Sequence, residues 1–178
     1  GSTSGVGLAM AKAYAAQGAN VLLNGFGSVD DALKQVRAVS KGGKIEYHGA
    51  DMSKVSDIES MMSQAKKNMK GVDVLINNAG IQYVSPVHTF PVEKWDAIIA
   101  INLSASFHTT RLALPHMLER NWGRVINVAS THGLVASAQK SAYVASKHGI
   151  VGMTKSIALE TAKTGVTCNA ICPGWVLT

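Results

Sequence analysis

Segments with the pattern of β-strands alternate with segments with the pattern of α-helices along the whole chain. The strand-like segments are short and apolar on both faces, and the segments between them are rich in helix-forming residues. Strands of this kind need helices on both sides of a sheet, so the pattern predicts an α/β fold with a doubly wound, Rossmann-like parallel sheet. The predicted strands are 19–23, 44–48, 72–77, 124–129 and 166–171, and the predicted helices are 8–17, 30–40, 53–70, 92–120 with an interruption near Asn102, and 141–161.

The length and the first residues of the chain bear on its domain organisation. A chain of 178 residues with 47% hydrophobic side chains suffices for one domain with a buried core. The sequence has no internal repeat and no linker, so we predict a single dinucleotide-binding domain over residues 1–178. In a doubly wound fold, a glycine motif like the one that begins at Gly1 follows a central strand. We therefore expect a fragment, truncated at both ends, that lacks the first strand and the C-terminal part.

Charge, hydropathy and cysteine content limit the kinds of partner. The formal net charge of +6 permits nucleic-acid binding but does not predict it. The chain has neither an apolar run of membrane-spanning length nor a signal peptide, so we expect a cytoplasmic protein without membrane or nucleic-acid partners. Two cysteines, Cys168 and Cys172, provide too few ligands for a metal site, and we expect none.

A glycine-rich segment opens the chain and leads directly into a predicted helix. Glycines let the backbone approach a ligand closely, and a helix N-terminus attracts a pyrophosphate through its free N–H groups and its dipole. The spacing G-x3-G-x-G is a weak signal by itself, because glycine turns before helices are common. Its place at the head of a strand–helix series favours a dinucleotide-binding loop made of Gly1, Thr3, Ser4, Gly5, Val6 and Gly7.

The end of the strand at 19–23 bears on the choice of cofactor. Dinucleotide sites often carry an acid there for the ribose hydroxyls, but this chain reads Asn24-Gly25-Phe26-Gly27. The same stretch has no Arg or Lys that could bind the 2′-phosphate of NADP. This favours NAD as the cofactor, with Phe26 beside it. Asp51, after the next strand, could hydrogen-bond the adenine amine, and a helix-capping role is an equally good interpretation.

Three side chains suggest acid–base chemistry. Tyr143 and Lys147 are four residues apart on a predicted helix and therefore share one face. An ammonium close to a phenol stabilises the phenolate, which makes the pair a candidate for proton transfer. Tyr-x3-Lys alone is usually an ordinary helix face. Ser130, at the carboxyl end of strand 124–129, would face the same crevice and hold a substrate oxygen, which makes the combination far more specific.

These motifs, together with Asn77-Asn78-Ala79-Gly80 and Pro173-Gly174, resemble the short-chain dehydrogenase/reductase family over essentially the whole chain. The resemblance implies that Tyr143 is the general acid/base, that Ser130 orients the substrate oxygen, and that Lys147 binds the nicotinamide ribose and stabilises the phenolate. It also implies that Asn102 helps to hold a proton-relay water. The residues that it places along the cofactor are Asn78, Ala79, Gly80, Pro173, Gly174, Val176 and Thr178, beside Tyr143 and Lys147.

Within that family the chain is most similar to a bacterial subgroup, the D-3-hydroxybutyrate dehydrogenases. The similarity lies in residues 23–27, 77–82, 130–137, 140–143 and 171–175. It implies that Gln82, His132 and Lys140 grip the substrate carboxylate beside Ser130 and Tyr143, and that Trp175 walls the pocket. A small hydroxy acid does need a cation and hydrogen-bond donors. Taken singly, Lys140 could be a solvated cation, and His132 and Gln82 ordinary turn or loop residues.

The resemblance leads to one predicted reaction and two alternatives. We predict reversible, NAD-dependent oxidation of D-3-hydroxybutyrate to acetoacetate, as in ketone-body metabolism, by a protein that is a homotetramer when full length. The first alternative is another short-chain carbonyl reductase, such as one for 3-oxoacyl thioesters. The second is a non-catalytic cofactor-binding protein that has kept the fold.

Overall fold

The computed structural model describes all 178 residues and confirms the alternation of strands and helices. Predicted and observed boundaries differ by a few residues at most. The strands are β1 (Val21–Asn24), β2 (Ile45–His48), β3 (Val74–Asn77), β4 (Gly123–Val128) and β5 (Val166–Ile171), and the helices are α1 (Gly5–Ala15), α2 (Val29–Val39), α3 (Val55–Met69), α4 (Val92–Ile99), α5 (Ala105–Glu119) and α6 (Ser141–Glu160). None of these helices combines the length and the apolarity that crossing a membrane requires.

The interruption predicted in the long helical region is a π-helical turn. Residues Ala100–Ser104 form this turn between α4 and α5, so that the helical path continues with one wider turn. Asn102 lies in the turn and is 1% exposed. Such turns occur often at functional sites because they change the direction of side chains and of backbone carbonyls.

The five strands form two parallel sheets. β1 pairs with β2, and β3, β4 and β5 form a second sheet in that order. β1 and β3 do not pair with each other, so the single continuous sheet that the sequence suggests is divided. A cavity of about 470 Å³, lined mainly by apolar residues of β1, β3, α1 and α3, lies between the two edges. Ladder hydrogen bonds require strands about 4.8 Å apart, and none joins β1 to β3.

Each sheet has its own hydrophobic core. The larger core packs α3, α5 and α6 around the three-stranded sheet, with Met117 and Val125 fully buried. The smaller core packs α1 and α2 against β1 and β2, with Leu23 and Val36 fully buried. The glycine loop joins the two parts, because Ser2 N donates to Asn24 O at 2.6 Å and Asn78 Nδ2 donates to Gly1 O. The carboxyl ends of β1 and β3 therefore meet at the loop, which is where ligands bind in folds of this kind.

Candidate active site

The glycine loop requires glycine for steric reasons. A Cβ atom at Gly7 would overlap the carbonyl oxygen of Gly1, and Gly5 has a φ of +50°. Helix α1 begins at Gly5, and the side chain of its N-cap residue, Ser4, bonds no backbone N–H group. The first turn also carries no acidic side chain. The helix N-terminus thus presents its positive end without a competing carboxylate, as an anion-binding site needs.

The segment after β1 offers neither an acid nor a cation. Asn24 is buried, and its Nδ2 atom donates to His48 O at 3.1 Å and to Ala50 O at 2.9 Å. Phe26 is 67% exposed, and its carbonyl oxygen accepts a hydrogen bond from Thr3 Oγ1 at 2.7 Å. This bond attaches the segment to the glycine loop. The side chain of Phe26 is therefore free to cover a ligand at the edge of the sheet.

Asp51 is occupied by its own turn. Its Oδ1 atom accepts hydrogen bonds from Ser53 Oγ at 2.7 Å and from Ser53 N at 2.9 Å, and its Oδ2 lies 3.6 Å from Lys54 Nζ. The bonds from Ser53 hold the pKa of Asp51 below its usual value. This geometry is a local turn before α3 and not the helix cap that we considered from the sequence, because the N-cap residue of α3 is Lys54 and no side chain caps that helix. The adenine contact remains a prediction.

A second cavity, of about 360 Å³, brings together residues from five separate segments of the chain. They come from the start of α1, the loop after β3, the end of β4, helix α6, and the segment after β5. The predicted site residues that line it are Val6, Asn78, Gly80, Gln82, Ser130, Tyr143, Lys147, Pro173, Gly174, Val176 and Thr178. The cavity therefore joins the segments that the sequence assigns to cofactor and substrate.

Tyr143 and Lys147 lie on one face of α6, as the spacing predicts. Lys147 is 4% exposed, and its Nζ donates to Val128 O at 2.8 Å. The same nitrogen lies 5.5 Å from the centroid of the Tyr143 ring. Burial lowers the pKa of Lys147 to about 8. Two of its three N–H donors make no hydrogen bond with the protein, so they remain for a ligand in the cavity.

Ser130 follows β4 and forms a compact group with His132 and Tyr143. Ser130 is 8% exposed, and its Oγ accepts a hydrogen bond from His132 N at 3.1 Å. The imidazole Nδ1 of His132 lies 3.4 Å from the same Oγ. The rings of His132 and Tyr143 are edge to face, with centroids 6.0 Å apart. These contacts bring the predicted proton-transfer and substrate residues to one wall of the site.

The side chain of Asn102 lies behind the cavity and is fully engaged. Its Oδ1 accepts from Ile81 N at 2.8 Å, and its Nδ2 donates to Ile81 O at 2.9 Å and to Ser146 Oγ at 3.1 Å. A Cβ atom added at Gly80 would lie 3.5 Å from Asn102 Oδ1 and 3.6 Å from Lys147 Nζ. Asn102 therefore supports the cavity wall at Gly80 and Ile81, and its amide group has no donor left for a substrate.

Ser146 was not a candidate from the sequence. It is buried on α6, and its Oγ donates to Tyr143 O at 2.8 Å while accepting from Asn102 Nδ2. Its hydroxyl thus connects the helix of Tyr143 to the π-helical turn. The only signal in the sequence is its place between Tyr143 and Lys147, on the side of the helix that faces the core.

A buried polar network below the site was also missed. Asn77 Nδ2 donates to Asn127 Oδ1 at 2.8 Å, Thr109 Oγ1 donates to Asn77 Oδ1 at 2.7 Å, and Asn127 Nδ2 donates to Thr154 Oγ1 at 2.9 Å. The network joins β3 and β4 to α5 and α6. Asn77 and Asn127 each interrupt an otherwise apolar strand, and this signal is visible in the sequence. In the sheet the two residues occupy paired positions.

Several predicted residues lie outside the second cavity. Lys140, at the N-cap of α6, is half-buried and forms no ion pair, and Trp175 is fully exposed. The loop before α6 is held to the segment that follows Gln82, because Ser85 N donates to Gln139 O at 2.9 Å. Gly1, Gly7 and Ala79 line the cavity between the two sheets instead. The structure thus places His132 in contact with Ser130. It gives no contact of Lys140 or Trp175 with Ser130, Tyr143 or Lys147.

Comparison with known proteins identifies the family. The sequence model of the short chain dehydrogenase family matches residues 1–178. The chain belongs to the short-chain dehydrogenase family. This assignment agrees with the resemblance predicted from the motifs, and it makes the protein an oxidoreductase of a family that uses a nicotinamide cofactor.

Three relatives within the short-chain dehydrogenase family are informative. A protein of Cupriavidus necator named D-beta-hydroxybutyrate dehydrogenase is 66% identical over 178 residues, which are all of this chain and 69% of that protein. One of Rhizobium meliloti with the same name is 56% identical, over 100% of this chain and 70% of its own length. A 3beta-hydroxysteroid dehydrogenase 1 of Eggerthella lenta is 38% identical, over 98% of this chain and 67% of its own length.

The residues present fit a nicotinamide dinucleotide. The glycine loop has no room for a Cβ at Gly7, and the N-terminus of α1 carries no acid that would repel a phosphate. The buried ammonium of Lys147 has two N–H groups left for ribose hydroxyls. Pro173, Gly174 and Val176 contribute part of the lining of the second cavity.

Proposed function

We propose that this short-chain dehydrogenase catalyses the reversible, NAD-dependent oxidation of D-3-hydroxybutyrate to acetoacetate. One observation carries the proposal: Ser130, Tyr143 and Lys147 converge on a single cavity that also includes Gln82. The names of the relatives at 66% and 56% identity support the same reaction.

In the proposed mechanism the side chains of the protein bind the substrate and move its hydroxyl proton. Ser130 donates a hydrogen bond to the C3 oxygen and holds it beside Tyr143. The Tyr143 phenolate accepts the hydroxyl proton, and the ammonium of Lys147, 5.5 Å from the ring, stabilises the phenolate. A nicotinamide held at the glycine loop and Lys147 would supply the acceptor for the hydride of C3. In the reverse direction Tyr143 returns the proton to the oxygen of acetoacetate.

The substrate carboxylate needs a cation and neutral donors. We infer that Lys140 provides the cation, because it is half-buried at the start of α6 and forms no ion pair with the protein. Gln82 lines the cavity, and His132 lies against the ring of Tyr143. Trp175 would wall this pocket only after moving inward from its exposed position.

The preference for NAD over NADP follows from the segment after β1. A 2′-phosphate is normally held by an Arg or Lys, and residues 24–27 contain neither. The side chain of Asn24 is occupied by His48 O and Ala50 O. A ribose with a free 2′-hydroxyl is therefore the better fit at this edge.

Initial rates with four substrate and cofactor pairs test the proposal. We expect turnover of D-3-hydroxybutyrate with NAD, and little with the L enantiomer or with NADP. The Tyr143→Phe variant should lose at least about a thousandfold in kcat, because it removes the proton-transfer group. The control is Tyr14→Phe, whose hydroxyl forms no hydrogen bond and lies outside the second cavity. Faster turnover of D-3-hydroxybutyryl thioester than of the free acid would favour a thioester reductase and contradict the proposal.

A further inference from the structure

We propose that His132 is a positioning residue that sets the direction of the Ser130 hydroxyl proton. This role rests on the proposed reaction and is separate from any contact of His132 with the substrate carboxylate. Both the backbone nitrogen and the imidazole of His132 touch Ser130 Oγ, at 3.1 Å and 3.4 Å. Two contacts from one residue to the same oxygen leave that hydroxyl few orientations.

The hydrogen-bonding capacity of a hydroxyl makes the imidazole contact decisive. A serine Oγ has one proton to donate and two lone pairs to accept with. The backbone N–H of His132 occupies one lone pair. When His132 Nδ1 carries a proton, it donates to the second lone pair, and the hydroxyl proton points to the cavity. When Nδ1 is bare, it accepts the hydroxyl proton, and Ser130 presents only a lone pair to the cavity.

Only the arrangement with a proton on His132 Nδ1 suits the substrate. The C3 oxygen of a ketone accepts hydrogen bonds and donates none, so Ser130 must donate to it. We therefore assign to His132 the form that is protonated at Nδ1. In the neutral imidazole Nε2 then carries a lone pair and cannot donate to a carboxylate, so a carboxylate contact through Nε2 needs the form protonated on both ring nitrogens.

The surroundings of His132 hold its ring in place. Residues Thr131–Gly133 form a 3-10 turn capped by Ser130, and Thr131 N donates to Pro173 O at 2.9 Å. The His132 ring is edge to face with the Tyr143 ring, at an interplanar angle of 72°. Because the turn and the aromatic contact both restrict the imidazole, the side chain is pre-oriented before substrate binds.

Three substitutions of His132, each of which keeps one feature of its side chain, distinguish a role of Nδ1 from a role of Nε2 or of the ring. Asn places its amide nitrogen where Nδ1 lies, Gln places it near Nε2, and Phe keeps the ring contact with Tyr143 without any nitrogen. The measurement is kcat for reduction of methyl acetoacetate with NADH, since this ester has no carboxylate to grip. We expect His132→Asn to retain kcat within about threefold, and His132→Phe and His132→Gln to lower kcat about tenfold.

A double-mutant cycle shows whether His132 acts through Ser130. In a Ser130→Ala background the hydroxyl is gone, so His132→Phe and His132→Asn should have equal kcat within about twofold. Full additivity of the His132 and Ser130 effects would overturn the proposal. Equal kcat of the Phe and Asn variants in the Ser130 background would overturn it as well.

Nitrogen-15 NMR of the imidazole tests the inference without catalysis. We expect the neutral form of His132 to carry its proton on Nδ1, and the Ser130→Ala variant to shift it to Nε2. A proton on Nε2 in the unsubstituted protein would overturn the proposal. Failure of the proposed function has a different signature, because the unsubstituted protein would not turn over 3-hydroxybutyrate while the NMR result still stands.

Discussion

Asn102 Nδ2 donates a hydrogen bond to Ser146 Oγ across 3.1 Å, which links the π-helical turn to the helix that carries Tyr143. Ser146 is fully buried, and its hydroxyl in turn donates to Tyr143 O at 2.8 Å. The remaining groups of the Asn102 amide bind the backbone of Ile81. The Ser146 hydroxyl thus connects α6 to the π-helical turn and, through Asn102, to the loop at Ile81.

Removal of that hydroxyl should destabilise the protein. The Ser146→Ala substitution leaves a buried N–H of Asn102 without an acceptor, which costs about 1–3 kcal/mol of unfolding free energy. Urea denaturation measures the loss. The matched control is Ser156→Ala on the same helix, where the serine is exposed and bonds only to Glu160. Equal stability of the two variants would show that the Asn102 bond contributes nothing.

The buried ammonium of Lys147 should make stability depend on pH. Burial lowers its pKa from 10.5 to about 8, so between these values the unfolded chain binds more protons than the folded protein. The unfolding free energy contributed by Lys147 therefore rises with pH across this window, by up to about 3 kcal/mol. Below pH 8 the cost of the buried charge is fully present.

The Lys147→Met variant isolates this contribution, since methionine is neutral throughout. Denaturation of both proteins at pH 7.5 and pH 10.5 should show the difference in stability moving in favour of the unsubstituted protein at the higher pH. A difference that is the same at both pH values would mean that Lys147 titrates near its ordinary value.

Cofactor choice should respond to a cation at the edge of β1. Phe26 is exposed, and its backbone is held by Thr3 Oγ1, so a long side chain at this position reaches solvent beside the glycine loop. We expect Phe26→Arg to improve kcat/KM with NADP by about tenfold, because a guanidinium pairs well with a phosphate. Phe26→Leu is the uncharged control. An unchanged ratio of NADP to NAD activity in the arginine variant would argue against a ribose site beside Phe26.

The carboxylate contact proposed for Lys140 should appear in KM. We expect Lys140→Ala to raise the KM for 3-hydroxybutyrate about tenfold or more with a smaller effect on kcat, because the side chain is proposed to bind the substrate away from C3. Lys155 is exposed on the same helix, so Lys155→Ala provides the control. The KM for methyl acetoacetate should hardly change in either variant. An unaltered KM for the free acid in the Lys140 variant would refute the carboxylate contact.

Much of the fold and of the candidate site could be predicted from local patterns. The order of strands and helices follows from apolar periodicity, and the shared face of Tyr143 and Lys147 follows from the four-residue spacing on a helix. Ser130 was expected at the cavity because it ends a parallel strand, and it does line that cavity. These features depend on neighbouring residues in the chain, so the sequence by itself determined them.

Only the tertiary structure decided which distant groups meet. The bond between Asn102 and Ser146 joins residues 44 positions apart, and the bond between Asn77 and Asn127 joins residues 50 positions apart. Such contacts depend on how packed elements dock against each other. Periodicity along the chain contains no information about that docking, because it reports only which face of each element is apolar.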